Sequence, residues 1–425
     1  MNGRLSEFDH ALRQIYGVDP HILERQNERY QQLLDQFKSK FGKGLTHLFS
    51  TPGRTEIGGN HTDHNHGRVL AASVNLDAIA VAAKNKDDRI TLYSAGYENA
   101  FVINLNRLDP VEKEQGTTDA LIRGIAARFK TLGFQIGGFN ACISSDVLQG
   151  SGLSSSAAIE VLIGSILNGL YNDGAISAEI LAMIGQYAEN EYFGKPCGLM
   201  DQMACAVGGI ITIDFENPGA PIVERVTFNF EAQKYRVLVV DTGGNHADLT
   251  EDYAAVPAEM KAVANALGAA VIRDIDEEQL FHEMKSLRET VGDRALLRAL
   301  HFIGDNHRVK AQVAALETGN FEGFLQLVNE SGNSSFKWLQ NIYTIKNVRE
   351  QGISLALALT EQFISKTGEG ACRVHGGGFA GTIQVFLPEA SVADYTQQIE
   401  GVMGKGSVVN LKIRPPGTVC LNDLR

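Results

Sequence analysis

The sequence predicts a soluble α+β protein with more than one domain. At 425 residues and 44 % hydrophobic content, the chain has enough apolar side chain for two or three cores. Short β-rich runs dominate from His47 to about Asn104, helical periodicity takes over in the middle, and strand signals return near the end. Lys and Arg number 38 against 50 Asp and Glu, and the formal charge of −12 leaves no basic field for nucleic acid or anionic lipid.

Residues 1 to about 45 read as a helical capping extension, with Leu23, Tyr30, Leu33, Leu34 and Phe37 at roughly helical spacing and Gly42 and Gly44 as its stop. Strands are predicted at Leu48 to Thr51, Ala78 to Ala83, Arg89 to Tyr93 and Phe101 to Leu105, each bounded by turn residues. An amphipathic helix near Thr118 to Phe129 precedes a strand at Gly138 to Ser144. Helices at about Ser155 to Leu170, Ser177 to Glu191 and Gly198 to Val207 then lead to a strand at Ile210 to Asp214. The turn-rich Asn217-Pro218-Gly219-Ala220-Pro221 marks a boundary, so domains are expected at 1–220 and 221–425. The second part opens on the buried-type strand Arg236 to Asp241, passes through several helices, and ends in strands at Ala371 to His375, Thr382 to Leu387 and Val408 to Ile413. The cysteines Cys142, Cys197, Cys205, Cys372 and Cys420 are scattered with no close pair, and no run reaches the ~18 apolar residues that span a bilayer. With no apolar core to its N-terminal segment, the chain is expected in the cytoplasm.

Three loops carry the chemistry. Gly150-Ser151-Gly152-Leu153-Ser154-Ser155-Ser156-Ala157 lies between a strand and an apolar helix. Small residues let the backbone approach a polyanion, and free N–H groups at a helix start attract phosphate. The serine hydroxyls add donors and can ligate Mg2+. The same serines also fit a plain N-cap, and the loop lacks the lysine of a P-loop. Gly376-Gly377-Gly378-Phe379-Ala380-Gly381-Thr382 has dinucleotide-like glycine spacing but leads into a strand, not a helix. It reads as a strand-to-strand turn, or as a wall of backbone beside a transferred phosphoryl group. The stretch from Thr51 to Gly67 sets Arg54, Asn60, His61, Asp63, His64 and His66 around glycines on a turn, the donors and acceptors that a polyhydroxylated ligand needs. A metal hydrolase using His61, Asp63, His64 and His66 is a rival reading, and an inert polar surface loop is another.

Taken in order, with Cys197-Gly198-Leu199-Met200-Asp201-Gln202 as a fourth match, these stretches resemble the motifs of the GHMP small-molecule kinases from about Phe41 to Thr418. Within that superfamily they look most like the branch acting on galactose. The resemblance implies two domains, an N-terminal one of ribosomal-protein-S5-like topology and a C-terminal ferredoxin-like α+β one, with the site in the cleft between them. It implies MgATP-dependent phosphorylation of the anomeric C1 hydroxyl of galactose. By motif position, Arg54 and Asp201 are then the catalytic pair, and Ser156 and Glu189 the Mg2+ ligands. Asn60, His61, Asp63, Gly198 and Tyr253 are the sugar contacts. Gly150, Ser151, Gly152, Leu153, Ser154, Ser155, Ser156 and Ala157 hold ATP, and Gly376, Gly377 and Gly378 form the third motif. The partners implied are a small sugar and ATP, with no nucleic acid and no membrane.

The chain departs from the usual pattern at three places. Asn60 stands where the family carries a glutamate that accepts a hydrogen bond from the sugar's primary alcohol, His64 replaces an aromatic residue, and Thr55-Glu56 replaces a more apolar pair. An amide loses about 1 kcal/mol of charge-assisted strength there, so Asn60→Glu is expected to alter discrimination at C6. A C1 kinase for N-acetylgalactosamine, arabinose or galacturonate is therefore an alternative. So is a non-catalytic sugar sensor, against which stand the intact serine loop and Arg/Asp pair.

Overall fold

Two sheets carry the molecule, one of eight strands and one of four. The computed structural model describes residues 6–147, 152–244 and 249–424. The strands are β1 His47–Gly58, β2 Arg68–Lys84, β3 Arg89–Ser94, β4 Phe101–Asn104, β5 Phe139–Ser145, β6 Ile210–Asp214, β7 Ile222–Val226, β8 Tyr235–Asp241, β9 Ala371–His375, β10 Thr382–Pro388, β11 Val408–Leu411 and β12 Val419–Cys420. The larger sheet runs β12-β1-β2-β5-β3-β4, with β6 on β2 and β7 on β6; the smaller runs β11-β8-β10-β9. The helices are α1 Asp9–Tyr16, α2 Pro20–Phe41, α3 Thr118–Thr131, α4 Ser155–Tyr171, α5 Ala178–Ala188, α6 Met200–Val207, α7 Thr250–Ala266, α8 Glu277–His282, α9 Met284–Thr290, α10 Asp293–Glu317, α11 Phe321–Ser334, α12 Gly352–Thr367 and α13 Val392–Met403. The α+β class expected from the sequence is what forms.

Helices α3, α4 and α6 cover one face of the larger sheet through Ile122, Ile125, Val161, Leu162 and Met203, all buried, and α5 packs on these helices through Leu181. The capping extension covers the other face. Asp19 caps α2 by accepting from the His21 N–H, Pro20 occupies the first turn where no amide partner is needed, and Gly42 ends the helix at φ 80°. Leu23, Tyr30, Leu33 and Phe37 of α2 then pack with Leu48, Ile79, Val81 and Cys142 of the sheet. Asp77 of β2 sits at 0 % exposure under this lid, 2.9 Å from Arg29 Nη1 of α2 and 3.0 Å from Arg414 Nη1 of the C-terminal segment.

Two expectations change. The segment from Arg54 to Gly58, read as part of a turn, belongs to β1, which keeps pairing with β2 through irregularities between Pro52 and Arg54 and between Glu56 and Gly58. Backbone this deeply buried must find partners, and the ladder supplies part of them, while the Arg54 N–H goes to the Leu153 carbonyl at 3.1 Å and the Glu56 N–H to His375 Nε2 at 3.2 Å. The turn begins only at Gly59, whose φ is 85°. The larger sheet also draws on both sides of 220/221: β7 pairs with β6, and β12 returns from the C-terminal segment to pair with β1.

Candidate functional site

Arg54 extends from β1 to the opening of α4 and the first turn of α6. Its Nε donates to Asp201 Oδ1 at 2.8 Å, and its Nη1 donates to the Gly152 carbonyl. Ser154 Oγ donates to the second Asp201 oxygen. Gly53 permits the approach, since a Cβ there would lie 2.8 Å from the Leu153 carbonyl oxygen. Ser154 settles one ambiguity of the serine loop. It precedes α4 in the left-handed region, φ 58°, and its hydroxyl makes no capping bond to the helix. A non-glycine residue held there carries local backbone strain, which fits a hydroxyl committed to Asp201. Ser155 and Ser156 begin α4 with the hydroxyl-bearing Ser156 exposed, while Leu153 and Ala157 are buried. Gly150 and Ser151 lie outside the described residues.

Asp201 is half-exposed, its side chain 35 % accessible, whereas that of Arg54 is only 6 %. Burial pushes the Asp201 carboxyl up, but the Arg54 charge and the hydrogen bonds from Arg54 and Ser154 outweigh it and hold the group below the usual carboxylate range. The result is an ionised, weakly basic oxygen pair facing outward between a fixed cation and a helix start.

The turn after β1 brings its own group. Asp63 occupies the space over Gly198, where a Cβ would fall 1.7 Å from Asp63 Oδ2, so only glycine lets the carboxylate sit there. His61 Nε2 lies 3.0 Å from the Gly377 carbonyl; burial lowers the imidazole to about 3, so it is neutral and Nε2–H donates. Tyr253 on α7 donates its hydroxyl to the Gly378 carbonyl at 2.9 Å and packs edge-on to Phe379. Gly376 and Gly378 hold positive φ, 64° and 77°, in the hairpin joining β9 to β10, as the strand-to-strand reading required. Contacts thus join Arg54, Gly152, Ser154 and Asp201 in one group and His61, Tyr253 and the glycine hairpin in another, with Asp63 and Gly198 adjoining both along the chain.

Asn60 is placed differently from the expectation. It is 0 % exposed, and its amide donates to Glu56 Oε1 at 3.0 Å and the Gly376 carbonyl at 2.7 Å while accepting from Asn341 Nδ2 at 2.8 Å and Ser335 Oγ at 3.2 Å. Its backbone N–H goes to Asp305 and its carbonyl to His301, both on α10. The side chain fastens the turn to the hairpin and to Ser335 and Asn341, the backbone fastens it to α10, and the amide has no donor or acceptor left for a ligand. A glutamate there would set a carboxylate against Glu56 and a carbonyl. Asn60→Glu is therefore expected to destabilise the fold by about 1–3 kcal/mol, read as a lowered urea midpoint with unchanged slope.

Glu189 follows α5 at the start of a π turn and is buried, its Oε2 accepting from Gln202 Nε2 at 2.9 Å and its Oε1 3.5 Å from Lys195 Nζ. The same Gln202 amide donates to Glu160 Oε2, and Glu160 Oε1 is buried with no protein partner. Burial, then the Glu189 charge, push the Glu160 carboxyl well above its usual value. Among the described residues no group of three His, Cys, Asp or Glu side chains is arranged to hold a metal ion, and His61, Asp63, His64 and His66 do not converge. A cavity of about 480 Å3 lies elsewhere, where α1, β2, β8 and the C-terminal segment meet; its cations Arg25, Arg236, Lys412 and Arg414 are paired with Asp146, Glu389, Glu231 and Asp77.

The residues that sequence reasoning missed are those behind the site. Arg373 of β9 binds Glu56 at 2.6 Å, with side chains 0 % and 3 % exposed, and His375 touches both β1 and the Gly152 turn. Glu56 enters the sequence reading only as part of a departure from an apolar pair, and His375 lies directly before Gly376, so position alone could have flagged it. Nothing local marks His301, Asp305 or Asn341.

Residues 120–209 match the family described as the GHMP kinases N terminal domain, and residues 35–84 match the galactokinase galactose-binding signature. The chain is similar to a galactokinase of Clostridium tetani (strain Massachusetts / E88), 28 % identical over 377 residues that cover 87 % of this chain and 91 % of that one. In fold it is similar to Lactococcus lactis galactokinase solved with galactose, at a TM-score of 0.79 and 23 % identity, covering 92 % of this chain and 99 % of that one. It is more distantly similar to Methanococcus jannaschii mevalonate kinase, at a TM-score of 0.60 and 17 % identity, covering 87 % and 99 %.

Proposed function

We propose that this member of the GHMP kinase superfamily, allied to the galactokinases, transfers the γ-phosphoryl group of ATP to the anomeric C1 hydroxyl of galactose. One observation carries the reading. A carboxylate, Asp201, opens to solvent while held by an arginine and by the serine of a helix-start loop. That arrangement suits a hydroxyl on one side and a polyphosphate on the other. The sugar's C1 oxygen attacks the γ-phosphorus as the bridging bond to ADP breaks. Asp201, ionised and weakly basic, orients the hydroxyl and takes its proton late, when the bond to phosphorus has made that proton acidic. Arg54 keeps the carboxylate in place and lends positive charge to the moving phosphoryl group.

The nucleotide would lie along residues 150 to 157, its phosphates at the start of α4. Ser156, exposed on the first turn, and the carboxylate of Glu189 offer the hard oxygen donors that Mg2+ takes. The fit rests on that donor chemistry and on the surplus of buried carboxylate oxygen around Gln202. When bound, Mg2+ offsets phosphate charge. His61, Asp63, Gly198, Tyr253 and the hairpin Gly376 to Gly378 would line the sugar side. Residues 1–220 would then supply the phosphate loop and Asp201, and 221–425 the closing hairpin, with β7 and β12 lent back to the larger sheet. The five cysteines are all unpaired and no described helix is long and apolar enough to cross a membrane, which supports a cytoplasmic setting.

The test is sugar-dependent ADP release with Mg2+ present, screened over galactose, N-acetylgalactosamine, arabinose, galacturonate, glucose and mevalonate. Galactose is expected to give the highest kcat/KM. A folded protein that releases ADP with none of them would sink the kinase reading, and preference for another sugar would move the substrate. A second expectation concerns Gly198→Ala, which displaces the Asp63 carboxylate without touching Arg54 or Asp201. It should raise the KM for sugar about tenfold or more while the KM for ATP holds, as steady-state kinetics would report.

A further inference from the structure

We propose that His375 is a positioning residue for phosphoryl transfer, a neutral spacer that fixes the Arg54 strand against the Gly152 turn; this rests on the kinase reading above. His375 ends β9, directly before the glycine hairpin, and is 2 % exposed. Its Nε2 accepts the Glu56 backbone N–H at 3.2 Å and lies 3.1 Å from Thr55 Oγ1. A ring nitrogen that accepts a backbone N–H carries no proton of its own. The proton of the neutral ring is therefore on Nδ1, which donates to Thr382 Oγ1 at 3.0 Å.

The Nδ1 edge of the ring also backs onto the phosphate loop. A Cβ on Gly152 would come within 2.9 Å of His375 Nδ1 and 2.7 Å of Thr382 Oγ1, so the turn and the imidazole are in contact. Gly152 is the residue whose carbonyl receives Arg54. One ring thus touches the backbone just beyond Arg54 on one side and Arg54's own acceptor on the other. It braces them from the smaller sheet, beside the Arg54 N–H to Leu153 carbonyl bond of 3.1 Å that also joins strand and turn, and no other described side chain bonds to Glu56 N–H while lying on the Gly152 turn.

The charged groups facing the ring are Arg54 of β1, Arg373 of β9 and Asp201 of α6. Burial, with the two guanidiniums adding to it, drives the imidazole well below its usual value, in agreement with the bonding pattern. The neutral form is what the position needs. An imidazolium would leave Glu56 N–H without an acceptor and would place a third cation beside Arg54, in competition for Asp201.

The test uses the full chain with His375→Leu and His375→Gln. Leucine keeps bulk but removes both polar contacts, whereas the glutamine carbonyl reaches about as far as Nε2 and can accept Glu56 N–H. His375→Leu is expected to lower kcat about 10²-fold with both KM values within about threefold, because the reacting groups still bind but are misplaced. His375→Gln is expected to recover most of that loss. Equal losses in the two variants, a loss carried by KM, or wild-type kcat in His375→Leu would each overturn the proposal while leaving the kinase reading intact. Absence of turnover from the unmodified chain with every sugar would remove both. Should the variants fail to fold, nitrogen-15 NMR of the unmodified protein decides. A bare Nε2, a protonated Nδ1 and no titration between about pH 6 and 8 are expected, and a ring that titrates like a free histidine overturns the proposal.

Discussion

Asp201→Asn is expected to lower kcat for sugar-dependent ADP release by about 10³-fold while the KM for sugar changes little. The substitution keeps the shape of the side chain. The amide oxygen can still accept from Arg54 Nε while the amide NH2 donates to Ser154 Oγ, a hydroxyl that turns from donor to acceptor, so the contacts can persist while the charge is lost. The charge lost is the one that balances Arg54, which is 5 % exposed and would then be a buried cation without its carboxylate, and on the proposed reading it is also the charge that orients the C1 hydroxyl. Arg54 retains the Gly152 carbonyl, so the loop should hold its place and the defect should fall on the chemical step. Because Arg54 keeps the Asp201 carboxyl below the ordinary carboxylate range, the unmodified enzyme should show no loss of kcat/KM from this group between about pH 5 and 8. An Asp201→Asn chain within about tenfold of wild-type kcat would show that the carboxylate is not part of the chemistry.

How far this site can be read from sequence depends on how local each interaction is. Arg54, Asp63, Gly198, Asp201 and the glycine hairpin sit in short motifs, and the structure gathers them as contacts. Strand β1 was legible only in its first half, where Leu48 and Phe49 face opposite cores. Beyond Pro52 the buried Thr55 and Glu56 meet polar partners, Thr55 with His375 and Gln384 and Glu56 with Arg373, so the hydrophobic alternation that marks a strand is missing. Asn60 was misread for a related reason. Its partners His301 and Asn341 lie 241 and 281 residues away, and nothing near residue 60 announces that the amide will be consumed in packing. Helix α10 conceals its role in the same manner, since the buried His301 and Asp305 find their partner in the Asn60 backbone and nothing local marks them as buried.

The largest expected effect on stability lies away from the cleft, at Asp77. Its carboxylate binds Arg29 and Arg414 and accepts from Ser50 and Tyr16, tying together α1, α2, β1 and the C-terminal segment. Arg414 is 1 % exposed, so Asp77→Leu would leave buried guanidinium charge with no counterion at a cost of about 3–5 kcal/mol, a large share of the roughly 5–15 kcal/mol that a domain has in total. The urea midpoint should fall accordingly, and adding Arg414→Met should restore part of it, since an apolar pair of similar volume avoids the desolvation problem. Burial raises the Asp77 carboxyl, but Arg29, Arg414 and the hydroxyl donors more than reverse this and depress it below its ordinary value. A depressed carboxylate contributes stability that is fully present above its unfolded pKa of about 3.9 and is lost as pH falls through the folded value. The unmodified chain should therefore lose this contribution on acidification below about pH 4, and Asp77→Leu, lacking the group, should show a shallower decline over the same window. A midpoint shift worth less than about 1 kcal/mol at pH 7, or parallel acid declines in the two proteins, would mean that the capping helices are held by the apolar contacts of Leu23, Tyr30, Leu33 and Phe37 rather than by this buried charge.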